Sequence, residues 1–151
     1  MQKITPFLWF DGKAEEAMNF YVSVFKNSKV VSVTPGPNGS VMSAAFDLEG
    51  QRFLALNGGP MYTFTPAISL FVSCAMQKEV DELWEKLSEG GEPGRCGWLK
   101  DRFGLSWQVI PSALGKMLSD KDPAKAGRVM QAMLQMGKID IQGLQKAYDG
   151  K

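Results

Sequence analysis

The sequence predicts an α+β fold: two halves that each run strand, helix, strands, and then a helical C-terminal extension. Three observations lead there. Apolar residues recur at spacings of three and four over Lys13–Phe25 and again over Lys78–Leu87, and each stretch follows a short strand-like run. The runs after the first helix are separated by short turn-forming segments, which favour an antiparallel meander. Aligning the two opening runs pairs Leu8 with Leu70 and Phe10 with Val72, a constant offset of 62 residues that points to an internal duplication.

In chain order, Ile4-Thr5-Pro6-Phe7-Leu8-Trp9-Phe10 reads as an aromatic-rich strand stopped by Asp11-Gly12. The helix that follows puts Ala14, Ala17, Met18, Tyr21, Val22 and Phe25 on one face and Glu15, Glu16, Asn19 and Ser23 on the other. Strands are expected over Lys29–Thr34, Val41–Leu48 and Arg52–Asn57, divided by Pro35–Gly39 and by Glu49-Gly50. After the breaker stretch Asn57–Pro66 the order restarts: a strand over Ala67–Ser73, then a helix carrying Val80, Leu83, Trp84 and Leu87 and ended by Gly90-Gly91. A loop rich in Gly and Pro leads to strands over Cys96–Lys100 and Leu105–Ile110, and Pro111 closes the second half. Beyond it Asp122-Pro123 starts a helix whose apolar side holds Val129, Met130, Met133, Leu134 and Met136, and Asp140 caps a last helix with Leu144, Ala147 and Tyr148. The Met-rich side either packs back onto the chain's own sheet or joins a second subunit.

Composition narrows the chemistry. The 151 residues, 44% hydrophobic and 22% charged, suffice for one globular domain with a sizeable core. There is no histidine, so Ser-His and Cys-His catalysis and every His-bearing zinc motif are excluded. Residues 1–110 carry 10 Lys/Arg against 12 Asp/Glu and residues 111–151 carry 7 against 4, too even a spread for a nucleic-acid-binding face. Two cysteines fit a reducing compartment, no apolar run nears the roughly 18–20 residues of a membrane span, and Met1-Gln2-Lys3 leads into a strand pattern instead of a signal core. A cytoplasmic protein with neither nucleic-acid nor membrane partners is expected.

The remaining reactive residues divide into alternatives. Cys96, beside Arg95 in a glycine-rich loop, is either an activated nucleophile or redox thiol or, lacking a histidine base, an inert one. Cys74 ends an apolar strand as buried filler. Glu15-Glu16 and the run Glu79, Asp81, Glu82, Glu85 lie opposite apolar helix faces and read as solvated surface. Asp101 and Arg102 either pair with each other or anchor the turn before Leu105. Gly90, Gly91, Gly94 and Gly97 follow a helix and lack a P-loop ending, and no strand leads into a glycine-rich turn and helix of the dinucleotide or S-adenosylmethionine type.

Three segments, Pro6–Gly12, Ala14–Tyr21 and Cys96-Gly97-Trp98-Leu99-Lys100-Asp101-Arg102-Phe103-Gly104-Leu105-Ser106-Trp107-Gln108, together with Lys138–Ile141, resemble the PhnB-like branch of the vicinal oxygen chelate (glyoxalase/bleomycin-resistance) superfamily, whose members are often named 3-demethylubiquinone-9 3-methyltransferases. The resemblance implies a single domain of two βαβββ modules, residues 1–59 and 60–112, that curl mixed sheets around a cavity, with C-terminal helices over 113–151 and a homodimeric assembly. Metal-dependent relatives hold an ion through the first and last strands of each module, and those positions fall here on Thr5, Ala55, Ala67 and Gln108. Two alanines, a hydroxyl and an amide do not make a divalent site, so no metal and no cofactor is expected.

Strand alternation from those positions turns Phe7 and Trp9, Phe53 and Asn57, Ser69 and Phe71, and Ser106 inward, and puts Leu8, Phe10, Leu54, Leu56, Leu70, Val72, Trp107 and Val109 beneath the helices. The expected ligand-binding residues are Phe7, Trp9, Phe53, Asn57, Ser69, Phe71, Cys96 and Gln108, an aromatic lining with a few amides and hydroxyls; the alternative is that the aromatics simply fill a core. The functional expectation is metal-independent binding of a small aromatic or amphipathic molecule. An enzyme of the superfamily (isomerase, lyase, dioxygenase or the methyltransferase of the family label) and a ligand-sequestering or structural dimer are the alternatives, with no catalytic residue assigned.

Overall fold

The computed structural model describes residues 2–151, which divide into two compact units, one running to Thr63 and the other Phe64–Lys151. In the first, β1 (Phe7–Phe10), α1 (Ala14–Val24), β2 (Ser28–Pro35), β3 (Val41–Leu48) and β4 (Gln51–Asn57) form a four-stranded sheet in the order β1-β4-β3-β2. β1 runs parallel to β4, and the other pairs are antiparallel. α1 forms because Ala14, Ala17, Met18, Tyr21 and Val24 repeat on one buried stripe, with Glu15 and Glu16 favourably placed in its first turn. That stripe covers one face of the sheet, where Phe46 stacks on Phe53 at 5.5 Å between ring centroids and Tyr21 lies 6.3 Å from Phe46.

The second unit repeats the plan. β5 (Ser69–Cys74), α2 (Gln77–Ser88), β6 (Glu92–Pro93), β7 (Trp98–Lys100) and β8 (Ser106–Pro111) form a sheet ordered β5-β8-β7-β6, with β5 parallel to β8. Val80, Leu83 and Leu87 of α2 are buried, as are Leu99, Trp107 and Val109 of the sheet. Each unit is thus a βαβββ module, and the two sheets are open, mixed and covered by a helix on one face. Some boundaries differ from expectation: Ile4–Pro6 and Ala67–Ile68 precede their strands, and the short β6 lies in the stretch read as loop.

Three helices follow: α3 (Ser112–Leu118), α4 (Pro123–Leu134) and α5 (Ile141–Tyr148). Asp122 and Asp140 cap α4 and α5 by accepting from the amides of Ala124 and Gln142. Val129, Leu144 and the connecting Ile139 are fully buried with Leu114 and with Ile110 of β8, and Met133 and Met136 pack against them. The extension therefore packs back onto its own sheet, while Met130 and Leu134 of the same helix remain exposed.

Candidate functional site

The register decides which side chains share a face. In the second sheet Ser69 pairs with Ser106, Phe71 with Gln108, and Trp98 with Gln108 across the other edge of β8. Ser69, Phe71, Trp98, Ser106 and Gln108 accordingly share the face opposite α2. The Gln108 amide donates to the Ser69 hydroxyl at 2.9 Å. Beside that pair Phe71 is 61% exposed, a large aromatic left open next to hydrogen-bonding groups.

Behind this face the chain is held rigidly. Asp101 is 3% exposed, and its carboxylate accepts from the Phe103 amide at 2.8 Å, the Leu105 amide at 3.0 Å and the Trp107 indole N–H at 2.8 Å. It anchors the turn before Leu105, one of the two roles the sequence offered for Asp101. Because Trp107 precedes Gln108, the same bonds fix the strand from which Gln108 projects.

In the first sheet the alternation has the opposite phase on β4 from that expected. Phe7 pairs with Leu54 and Trp9 with Leu56, whereas Leu8 and Phe10 pair with Ala55 and Asn57. Leu54 and Leu56 therefore join Phe7 and Trp9 on the uncovered face, and Phe53, Ala55 and Asn57 lie on the face beneath α1. Phe53 is core, stacked on Phe46. Asn57 is a structural link: its side-chain oxygen accepts from the Ala14 amide at the start of α1 and its amide group donates to the Val41 carbonyl, both at 2.9 Å. Trp9 is half-buried by its own unit, since its indole donates to the Gly59 carbonyl at 2.9 Å and its ring meets Tyr62 edge-on at 5.0 Å. Phe7 is 55% exposed. At the hairpin end of this face Asp47 and Arg52 form an ion pair, and the guanidinium holds the Asp47 carboxyl below its ordinary range.

Cys96 is half-buried in the left-handed region at φ 57°, with its amide donating to the Met136 carbonyl. Cys74 is buried, and burial reinforced by Glu79 pushes its thiol up to about 12. The superfamily's metal finds no fit in these residues. Ala55 and Ala67 offer no donor, Ala55 lies under the helix, and Leu54 and Leu56 beside it offer none either. Gln108 offers only a neutral amide oxygen and Thr5 only a hydroxyl, neither of them anionic, and among the described residues no three His, Cys, Asp or Glu side chains come together.

Two consecutive βαβββ units define a protein of glyoxalase-like fold, and comparison with known proteins agrees. A PhnB protein of the 3-demethylubiquinone-9 3-methyltransferase type from Bacillus cereus is 41% identical, and 74% of this chain covers all of it with a TM-score of 0.68. A Pseudomonas aeruginosa protein at 20% identity (74% of this chain, 98% of that one, TM-score 0.63) shares the fold. So does the fosfomycin resistance protein FosX of Listeria monocytogenes, solved with Mn(II) and sulfate, at 15% identity (71% and 89%, TM-score 0.54). No curated protein sequence matches the chain. The 3-demethylubiquinone-9 3-methyltransferase profile matches residues 2–110, and the chain belongs to that family, the PhnB-like branch of the vicinal oxygen chelate superfamily.

Proposed function

We propose that this chain binds a small aromatic or amphipathic molecule without a metal, on the uncovered face of the second sheet around Gln108. The observation that carries the reading is the Gln108–Ser69 hydrogen bond beside the exposed ring of Phe71, with Trp98 sharing that face on the other side of Gln108. An amide and a hydroxyl orient a polar group, while two aromatics supply apolar area; this is the usual division of labour in a small-molecule site. Cys96, two residues before Trp98, belongs at the margin of the same site. Glu92 and Lys100 share the face at its β6–β7 end, and no reaction is assigned to them.

The same reading takes the protein as a cytoplasmic homodimer. Its support is that β1 is an edge strand of the first unit with Phe7 exposed, an edge suited to a second copy, and that both cysteines are free. Among the described residues no helix is long and apolar enough to cross a membrane.

The test uses n-alkyl 4-hydroxybenzoates as probes, titrated by calorimetry before and after dialysis against a chelator. Binding is expected to survive the chelator and to weaken about 5- to 100-fold in Gln108→Ala, the range for losing one hydrogen bond to a bound ligand. Unchanged affinity in both Gln108→Ala and Phe71→Ala, or dependence on added divalent ion, refutes the proposal.

A further inference from the structure

We propose that the C-terminal extension is the end wall of this ligand face, and that Ile139 and Met136 set the length of molecule it accepts; the inference rests on the ligand-binding reading above. Alternation along β8 puts Ile110 on the same face as Ser106 and Gln108, about 7 Å beyond Gln108 at the usual rise of a strand. Ile110 is nevertheless only 8% exposed, because Leu114, Val129, Ile139 and Leu144 close over it. A molecule lying along β8 from Ser106 past Gln108 meets Ile110 within two residues, and Ile139, itself fully buried, and Met136, packed against the cluster, back Ile110 and fix how far it can yield.

The wall is fastened at both sides of the segment joining α4 to α5. On the sheet side, the amides of Cys96 and Gly97 donate to the carbonyls of Met136 and Gly137, each at 2.8 Å. Gly97 permits that approach: a side chain there would lie 2.6 Å from the Ile110 methyl and 3.2 Å from Ile139. On the helix side, the Gln77 side chain of α2 donates to the Ile139 carbonyl at 2.9 Å and accepts from the Ile141 amide at 2.7 Å, so a single amide replaces a strand neighbour. Lys138 pairs with Asp81 at 2.9 Å, and the Asp81 carboxyl, which also accepts from Gln77, is held below its ordinary range.

The helices of the extension lie beyond the matched family region, which ends at residue 110, whereas their anchors Gln77, Asp81, Cys96 and Gly97 lie within it, and about a quarter of this chain has no counterpart in the Bacillus cereus relative. The extension thus alters a face whose remaining residues come from the common module, which is where a difference in ligand size between this chain and its shorter relatives would be built.

The experiment is calorimetric titration of the full chain with the n-alkyl 4-hydroxybenzoates from methyl to hexyl. In the native protein affinity should rise about fourfold per methylene while each is buried, then fall once the chain reaches the wall. Ile139→Ala and, separately, Met136→Ala should move that maximum at least one methylene longer. Where Ile139→Ala does not fold, as judged by circular dichroism, Ile139→Val and the half-buried Met136 position serve in its place. An unmoved maximum in folded variants, with every probe still weakened by Gln108→Ala, overturns the wall and leaves the ligand face standing. Probes indifferent to Gln108→Ala, or not bound at all, overturn the ligand face and the wall with it.

Discussion

Replacing Asp101 probes the frame that holds Gln108. Its carboxylate accepts from the Phe103 and Leu105 backbone amides and from the Trp107 indole in a site that is 3% exposed. A hydrogen bond to a charged group contributes about 1.5–3 kcal/mol, and a buried donor left without a partner costs about 1–3 kcal/mol. The Phe103 amide, in a half-buried turn, can turn to water, so the full sum is not reached. We expect Asp101→Ala to destabilise the second unit by about 3–5 kcal/mol, and Asp101→Asn, which keeps an oxygen for the two amides, by about 1.5–3 kcal/mol. Urea denaturation read through hydrogen exchange at Leu105 and Trp107 isolates this unit from the other. A cycle with Trp107→Phe, which removes only the indole donor, should return a coupling of about 1.5–3 kcal/mol. A loss below about 1 kcal/mol for Asp101→Ala, or no coupling to Trp107, would refute the claim that this carboxylate sets the strand.

Asn57→Ala should cost about 1–2 kcal/mol in the first unit, because it removes both the bond to the Ala14 amide and the donor to Val41; a cost under about 0.5 kcal/mol in urea unfolding would show that Asn57 is not a cap. The Cys74 thiol should resist ionisation in the folded chain. The Cys74 thiol is raised from an ordinary 9.0 to about 12, so its contribution to stability is complete below about pH 9 and is lost as pH climbs towards 12. Absorbance at 240 nm at pH 10 should therefore rise by a step on unfolding that Cys74→Ser abolishes; a Cys74 thiol already ionised at pH 10 in folded protein contradicts the assignment.

How far the site was legible from sequence depended on contrast between strand faces. β8 alternates polar with apolar, Ser106-Trp107-Gln108-Val109, and β5 carries Ser69 and Ser73 in one phase with Phe71 between them, so the shared face of Ser69, Phe71 and Gln108 could be read from period two. β4 reads Phe53-Leu54-Ala55-Leu56, apolar on both faces, and period two alone cannot say which side is covered. The cue lay in the hairpin. Glu49 and Gly50 at φ 49° and 83° make a two-residue turn that sets Asp47 opposite Arg52. A charged cross-strand pair belongs to the uncovered face, which puts Leu54 there and sends Phe53 beneath α1. Trp98 was missed for another reason: its face is set only through the short pairing of β7 with β8, which the glycine-rich loop before it obscures. Likewise, the helical character of the extension was readable from Asp122-Pro123 and the Met spacing, but its attachment through Gln77 joins residues more than 60 positions apart and leaves no local signature.

The covering of Ile110 also orders events in time during synthesis. Leu144 is added to the growing chain 34 residues after Ile110, a delay of roughly 2–7 s at ordinary elongation rates of about 5–20 residues per second. Throughout that interval the first unit has every strand it needs, whereas the second exposes Ile110, Leu114 and the bare backbone of Gly97. The nascent chain therefore passes through a stage with one finished half and one adhesive half, and its exposure to chaperones and to aggregation is set by how quickly its last two helices arrive.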